Sequence, residues 1–358
     1  MVLKVSVVEI YGCEATHLTA LSTAEPTFSQ AKALRVILAT WSWVFLILII
    51  VFFETFARLE TGNTLLFRTH NLQAISIAAS QTLLLALGLT LVIVASHIDL
   101  SIGFVTGLGA VCMAVVIRAL DPSIPPALSL LIGITVGLGA SLVPGLINGL
   151  LVAKLNVPSF IGTLGMYGIA RGMALLIAGG ATVSIRNPAA TAFGNQHVFN
   201  VPWIVVMTLA VTAFFHYLLA YTRFGLHTYT IGGNVEAARR AGVNVERHLI
   251  ILFLLSAFTA GLGGIVYTAR FSAGAAQAGE PLLLYAVAAV FIGGASLTGG
   301  QGTIKGTVVG ALIIAVIQFG LVFINVAPYW QFVAVGAVII VAVLIDQLRD
   351  RMHVGAAT

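Results

Sequence analysis

Hydrophobic positions along this 358-residue chain gather into long runs separated by short polar breaks. A helix needs roughly 20 apolar residues to cross about 30 Å of hydrocarbon. About ten runs approach that length, at 36–53, 72–96, 102–119, 127–153, 157–178, 201–220, 249–268, 282–297, 303–324 and 329–346. The expected fold is all-α, a polytopic helical membrane protein. The run at 282–297 is short and ends in glycine, so a broken or re-entrant segment is expected there. Small residues recur four apart at Gly133/Gly137, Gly145/Gly149, Gly168/Gly172 and Gly302/Gly306/Gly310. Such spacing lets helix backbones approach closely in lipid, which favours a bundle over isolated anchors.

Composition supports that pattern. Hydrophobic residues make up 59% and charged residues 8%, and the mean hydropathy is +1.06. A water-facing domain carries about 25% charged residues, so a soluble enzyme is excluded. Residues 1–35 read as a cytosolic tail. Their apolar stretch "VLKVSVVEI" is short, with Glu14 and Glu25 beyond it, unlike a cleaved leader. Cys13 lies in that tail and Cys112 in an apolar run, which leaves no disulfide framework. Basic residues orient the spans. With the N-terminus cytosolic, that side holds Lys4, Lys32, Arg35, Lys154, Arg223, Arg239, Arg240, Arg247, Lys305, Arg349 and Arg351. The other side holds Arg58, Arg68, Arg118, Arg186 and Arg270, while Arg171 falls within a run. The expected organisation is a tail at 1–35, a membrane domain at 36–348 and a cytosolic C-terminal tail at 349–358.

Covalent chemistry finds no support. The chain has no G-x-x-x-x-G-K-[ST] phosphate loop, no H-E-x-x-H, no G-x-S-x-G and no Cys/His cluster at metal spacing. The longest loop, 222–248, contains "IGGNVEAARRAGVNV". Asn234 suits an N-cap, "VEAARRA" favours helix, and Gly242 suits a C-terminal stop. One helix of about two turns is expected, with Ala237 and Ala241 stacked and Arg239 and Arg240 extending from it. A cationic loop explains the arginines alone. The capped helix with a small face suits insertion into a partner's cleft. "IVASHIDLSIGFVTGLGA" (93–110) and "FIGGASLTGGQGTIKGTVVGA" (291–311) also share a pattern: apolar, then small and polar, then glycine-spaced apolar. They share one orientation in the expected topology, which argues against a simple inverted repeat.

Four ordered stretches carry a family resemblance: "LTLVIVASHIDLSIG", "GLINGLLVAKLNVPSFIGTLGM", "IGGNVEAARRAGVNV" and "AVFIGGASLTGGQGTIKGTVVGALI". They resemble, over residues 36–348, the permease subunits of bacterial monosaccharide ABC importers of the ribose, xylose and arabinose type. The resemblance implies alternating access without chemistry in this chain, with ATP and Mg bound by cytosolic ATPase subunits. It further implies a periplasmic sugar-binding protein, a second permease copy, an inner-membrane location and no nucleic acid. It makes 222–248 the ATPase-coupling segment, with Gly232, Gly233, Asn234, Ala237, Ala238, Arg239 and Gly242 as contact residues. His97 stands where the family commonly has glycine. An ion-coupled secondary transporter of a small polar solute is the alternative, with His97 and Asp99 carrying protons.

The polar seam His97, Asp99, Ser101 interrupts apolar sequence, where an ionisable group is costly if lipid-exposed. Asp99 or Ser101 is expected to cap a helix starting near Ile102; direct sugar contact and contact with the binding protein are the other readings. Asn148 and Arg171 join the seam as candidates for the path; Asn148 reads first as an interhelical hydrogen-bonder, and Arg171 as a side chain that snorkels, pairs with an acid or lines the cavity. Glu280 is expected near the outer surface, as a loop charge or a docking point for the binding protein.

Overall fold

A computed structural model describes the backbone over residues 28–355, apart from 63, 67, 122 and 328, and side chains within 41–344. The expectations for Cys13 and Lys4 lie outside the described residues. In chain order the elements are α1 (Phe28–Thr61), α2 (Thr69–Val94), α3 (Ile102–Leu120), α4 (Pro126–Ala153), α5 (Ser159–Ala178), β1 (Val183–Ser184), α6 (Pro188–Asn195), β2 (His197–Val198) and β3 (Val201–Pro202). They continue with α7 (Trp203–Tyr221), α8 (Arg223–Gly233), α9 (Val235–Arg240), α10 (Val245–Phe271), β4 (Ala273–Gly274), α11 (Glu280–Ile292), α12 (Ile304–Phe323) and α13 (Tyr329–Gly355). Residues 1–41 and 42–358 form separate compact units. The first contributes the opening of α1, and the second carries the rest of α1 and all later elements.

All ten apolar runs are helical, and among the described residues eight are long and apolar enough to cross a membrane. The exceptions are α11 and the apolar part of α13, 329–344. With 13 residues, α11 reaches only about 20 Å at 1.5 Å per residue. The segment ahead of it explains the shortfall. Residues 275–279 leave β4 as turns whose Ala275, Ala276 and Ala278 are buried. They run along α3, where Gly107 and Gly103 face Ala276 O and Gly279 O. Irregular backbone at membrane depth is tolerated where protein covers it, and these two glycines let it lie flat on the helix.

Helices α2, α3 and α10 are largely buried, while α4, α5 and α7 expose most of their apolar surface. A four-residue series, Gly133, Gly137, Ser141, Gly145, Gly149, makes the contact face of α4. Its first half meets Ile117, Met113 and Gly109 of α3, and its second half meets Ala257, Phe253 and Ile250 of α10. Gly306 and Gly310 pack on Gly293 and Ala289 of α11. Gly302 lies in the loop before α12 rather than on its face, and Gly168 and Gly172 of α5 face open space.

Hydrogen bonds define the two ends of the bundle. At one, β1 pairs with β4, and Asn187, which caps α6, bonds Ser129 Oγ at 2.6 Å and the Asp121 carboxylate. At the other, the end of α2 and the segment after it meet the start of α5, the loop before α12 and α8, and α9 follows α8 directly.

Candidate functional site

The seam begins with a helix stop. Ser96 adopts a left-handed conformation, φ 64°. Its N–H donates to Ile93 O at 2.8 Å and that of His97 to Val92 O at 3.0 Å, the paired bonds that satisfy the last carbonyls of α2. The chain then runs extended along α5. Ile98 N–H donates to Ser159 Oγ and Leu100 N–H to Thr163 Oγ1, both at 3.2 Å. Hydroxyls in the first turns of α5 thus satisfy backbone groups the break leaves open.

Asp99 is 2% exposed. One carboxylate oxygen accepts from Ser101 N–H at 3.0 Å and Ser101 Oγ at 2.6 Å, the other from Ser256 Oγ of α10 at 2.7 Å. Asn148 Nδ2 of α4 donates to Ser101 Oγ at 2.9 Å. Asp99 therefore holds the residue ahead of α3 and joins α3, α4 and α10. Ser101 spends its hydroxyl on Asp99, so the expected side-chain cap from Ser101 does not form. Depth follows from the partners. Asn148 lies five residues before the end of α4, and Gly88, packed on Ser256, six before the end of α2, about 8–9 Å inside the bundle. Asn148 Oδ1 is buried without a hydrogen-bond partner. His97 bonds Ala95 O through Nδ1 at 2.7 Å and meets the Phe253 ring edge-on. With Ser96, Asn156 and Ser159 it lines a cavity of about 390 Å³ beside the seam.

Within 222–248 two helices form where one was expected. Thr222 caps α8 by accepting from Gly225 N–H, and Thr228 Oγ1 bonds His248 Nε2 of α10 at 2.8 Å. Asn234 caps α9 by accepting from Ala237 N–H at 2.9 Å. Gly242, φ 82°, ends it: its N–H donates to Arg239 O, and Val243 N–H donates to Ala238 O. Gly233, Asn234, Ala237, Arg239, Ala241 and Gly242 are exposed. Ala238 turns inward and is 0% exposed, so it is unavailable to a partner. Gly232 is also buried, so close to α2 that a Cβ would fall on Val94 O and lie 2.6 Å from Gly300 N.

That contact brings in residues the linear reading missed. Gly300 N–H donates to Val94 O at 2.8 Å, Ser96 Oγ to Thr298 O at 3.1 Å, and Tyr229 Oη of α8 to Gly302 O at 2.6 Å. The loop before α12 is thus held between α8 and the end of α2. The two segments compared above, 93–110 and 291–311, touch here. Positive φ at Gly299, Gly300 and Gly302 explains the loop's glycines. Ser256 carried a weak signal as a hydroxyl in an apolar run; Tyr229 carried none.

Arg171 is exposed on α5, its guanidinium 5.2 Å from the centroid of the buried Phe104 ring, which also meets Tyr167 edge-on at 4.4 Å. Glu280 is exposed too, but not at the outer end. The preceding Gly279 packs on Gly103 and Thr106; Thr106 adjoins Gly263, which faces Leu85. Leu85 is nine residues from one end of α2 and sixteen from the other, so Glu280 opens α11 near mid-bundle. The expected surface position came from treating 282–297 as a full-length span.

A family model described as "branched-chain amino acid transport system / permease component" matches residues 71–343. The galactose/methyl galactoside import permease protein of Escherichia coli K12 is 35% identical over 295 residues, 78% of this chain and 87% of the relative. The L-arabinose transport system permease protein of the same organism is 35% identical over 281 residues, covering 78% and 84%. Its ribose import permease protein is 35% identical over 302 residues, covering 82% and 91%. No solved structure gives a significant match. With most of its length aligned to these transport permeases, the chain belongs to the family of branched-chain amino acid transport system permease components.

Proposed function

We propose that this chain is the membrane permease subunit of an ATP-driven, binding-protein-dependent sugar importer of the bacterial inner membrane. The observation that carries the reading is the set of relatives named as galactose, arabinose and ribose import permeases, each aligned over more than four-fifths of its own length. Its physical support is α9, capped at both ends with Ala237, Ala241 and Arg239 exposed. The sequence carries no phosphate loop. ATP and Mg therefore belong to a cytosolic ATPase subunit, which α9 contacts. A periplasmic protein delivers the sugar, and a second permease copy completes the path. Both termini and the α8–α9 end are cytosolic. Asp99 and Asn148 are joints of the bundle in this reading, because the Asp99 carboxylate is satisfied by three donors within the chain.

The test is reconstitution with an ABC ATPase and a sugar-binding protein from the same organism. ATP-dependent uptake of galactose, arabinose or ribose into liposomes, abolished without either partner, is the expected result. Uptake driven by an ion gradient alone would replace this reading with a secondary carrier.

A further inference from the structure

Helix α8 bridges two helix ends. Its first turn is folded back on the last turn of α7, where Gly225 lies against Leu219 O. Its last turn reaches the end of α2, where Gly232 lies against Val94 O. Gly225, Thr228, Ile231 and Gly232 face the bundle and are buried. Arg223 and Leu226, three residues apart on the opposite face, are exposed, Leu226 at 64%. This face continues an exposed strip of α7. Leu209, Phe214, Tyr217 and Tyr221 are exposed along that span. The Tyr217 and Tyr221 rings stack in its last turn, with centroids 6.1 Å apart. Exposed tyrosines at the end of an apolar span sit at the level of lipid headgroups, and Arg223, two residues on, stands in that layer. Its charge is unbalanced. No Asp or Glu occurs between Asp121 and Glu236, and among the described residues Arg223 has no ion-pair partner.

We propose that the elbow between α7 and α8 binds an anionic phospholipid, with the headgroup phosphate on Arg223 and the upper part of the acyl chains against Tyr217, Tyr221 and Leu226. A guanidinium takes a phosphate through two parallel N–H···O bonds, and Arg223 has no carboxylate to release first. The tyrosines present an apolar body to the chains and a polar tip to water. Leu226 gives the contact an apolar part that a free anion would not use. Docking of an ATPase subunit is the competing use of this face. Lipid is favoured because the exposed strip runs on along a membrane span, where a soluble subunit does not reach. A lipid held here pins one end of the helix whose other end leads into α9. The cytosolic placement of the site rests on the importer reading; the lipid contact does not.

Lipid retention by the full chain tests it. The purified permease is titrated with phosphatidylglycerol or with neutral phosphatidylcholine, and bound lipid is counted by native mass spectrometry. The parent should hold phosphatidylglycerol about fivefold more tightly, the factor that one cation at a membrane surface contributes. Arg223→Gln should bring the two lipids level, and Leu226→Ser should weaken both. Lys154→Gln, at an exposed cation after α4, should change neither. Equal retention of the two lipids by the parent overturns the site. So does an undiminished preference in Arg223→Gln, unchanged retention in Leu226→Ser, or a loss in Lys154→Gln as large as in Arg223→Gln. Arg223→Lys keeps the charge and should keep most of the preference; complete loss there would trace the effect to folding and also overturn the site. If Arg223→Gln and Leu226→Ser hold lipid as the parent does but no longer co-purify with the ATPase, the face belongs to the ATPase and the proposal falls. Retention is read without transport. A complex that imports no sugar would overturn the importer reading and leave the lipid result standing.

Discussion

At the scale of residues, Asp99 shows why an acid persists between apolar helices. Its carboxylate accepts three hydrogen bonds from donors on two parts of the chain. Removing a buried acceptor leaves those donors unsatisfied, at about 1–3 kcal/mol each. Asp99→Leu should therefore lose assembly, measured as detergent-stable yield and thermal unfolding. Asp99→Asn keeps one acceptor oxygen and should cost about 1–2 kcal/mol while retaining uptake. Loss of uptake by a normally assembled Asp99→Asn protein would mean that the charge itself acts in transport. Ser96 is a second residue-scale case. At φ 64° it occupies the position that favours glycine, but its hydroxyl reaches Thr298 O. Ser96→Gly relieves the backbone, by up to about 1 kcal/mol, and releases that bond. A thermal shift within about 2 °C of the parent is expected.

At the scale of elements, α9 presents two alanines outward and one inward, and bulk on each face has a different consequence. Ala237→Trp should leave the permease folded and inserted but abolish ATPase association or ATP-driven uptake, since misfit in a packed contact costs about 1–3 kcal/mol. Ala238→Trp should instead destabilise the permease itself, because that side chain is enclosed by its own chain. Equal behaviour of the two in an ATPase pull-down would remove α9 as the contact. The α8 side is held by Tyr229 to Gly302 O and by the close approach of Gly232 to Val94. In the importer reading, motion imposed on α8–α9 would reach the end of α2 and the start of α12 through these contacts. Tyr229→Phe removes that one hydrogen bond and keeps the ring. It should raise the ATP hydrolysed per sugar imported by a few-fold, with ATPase binding unchanged; an unaltered ratio would show that this bond does not transmit.

At the scale of the molecule, two irregular segments, 95–101 and 275–279, meet α3 from either side at its first turns. The first begins where α2 ends and reaches about 8–9 Å inside the bundle at Asp99, and the second lies against Gly103 and Gly107 of α3 with Ala275, Ala276 and Ala278 buried. The ends of the bundle carry opposite partners in the importer reading, which makes topology a direct test. Cysteines at the exposed positions Ala241 and Asn195 should label from opposite sides of the membrane with an impermeant reagent. Labelling from one side would overturn the span count between α6 and α9.

What the sequence determined by itself is what depends on neighbours along the chain. Apolar runs of membrane length, the Asn234 cap, the Gly242 stop and the α4 glycine series are properties of local spacing, and each stands where spacing placed it. The tertiary structure decided everything that depends on which surfaces meet. Ala237 and Ala238 are equivalent in sequence and opposite in burial, because only packing against the rest of the chain distinguishes two neighbouring alanines on different sides of one short helix. Glu280 looked like an end-of-span charge because length counting assumes that a run starts at the surface. The 275–279 turns use up that distance against Gly103 and Gly107. The partners of Asp99 and Arg171, Ser256 and Phe104, lie 157 and 67 positions away, and no periodicity in a single chain encodes a pairing at that separation.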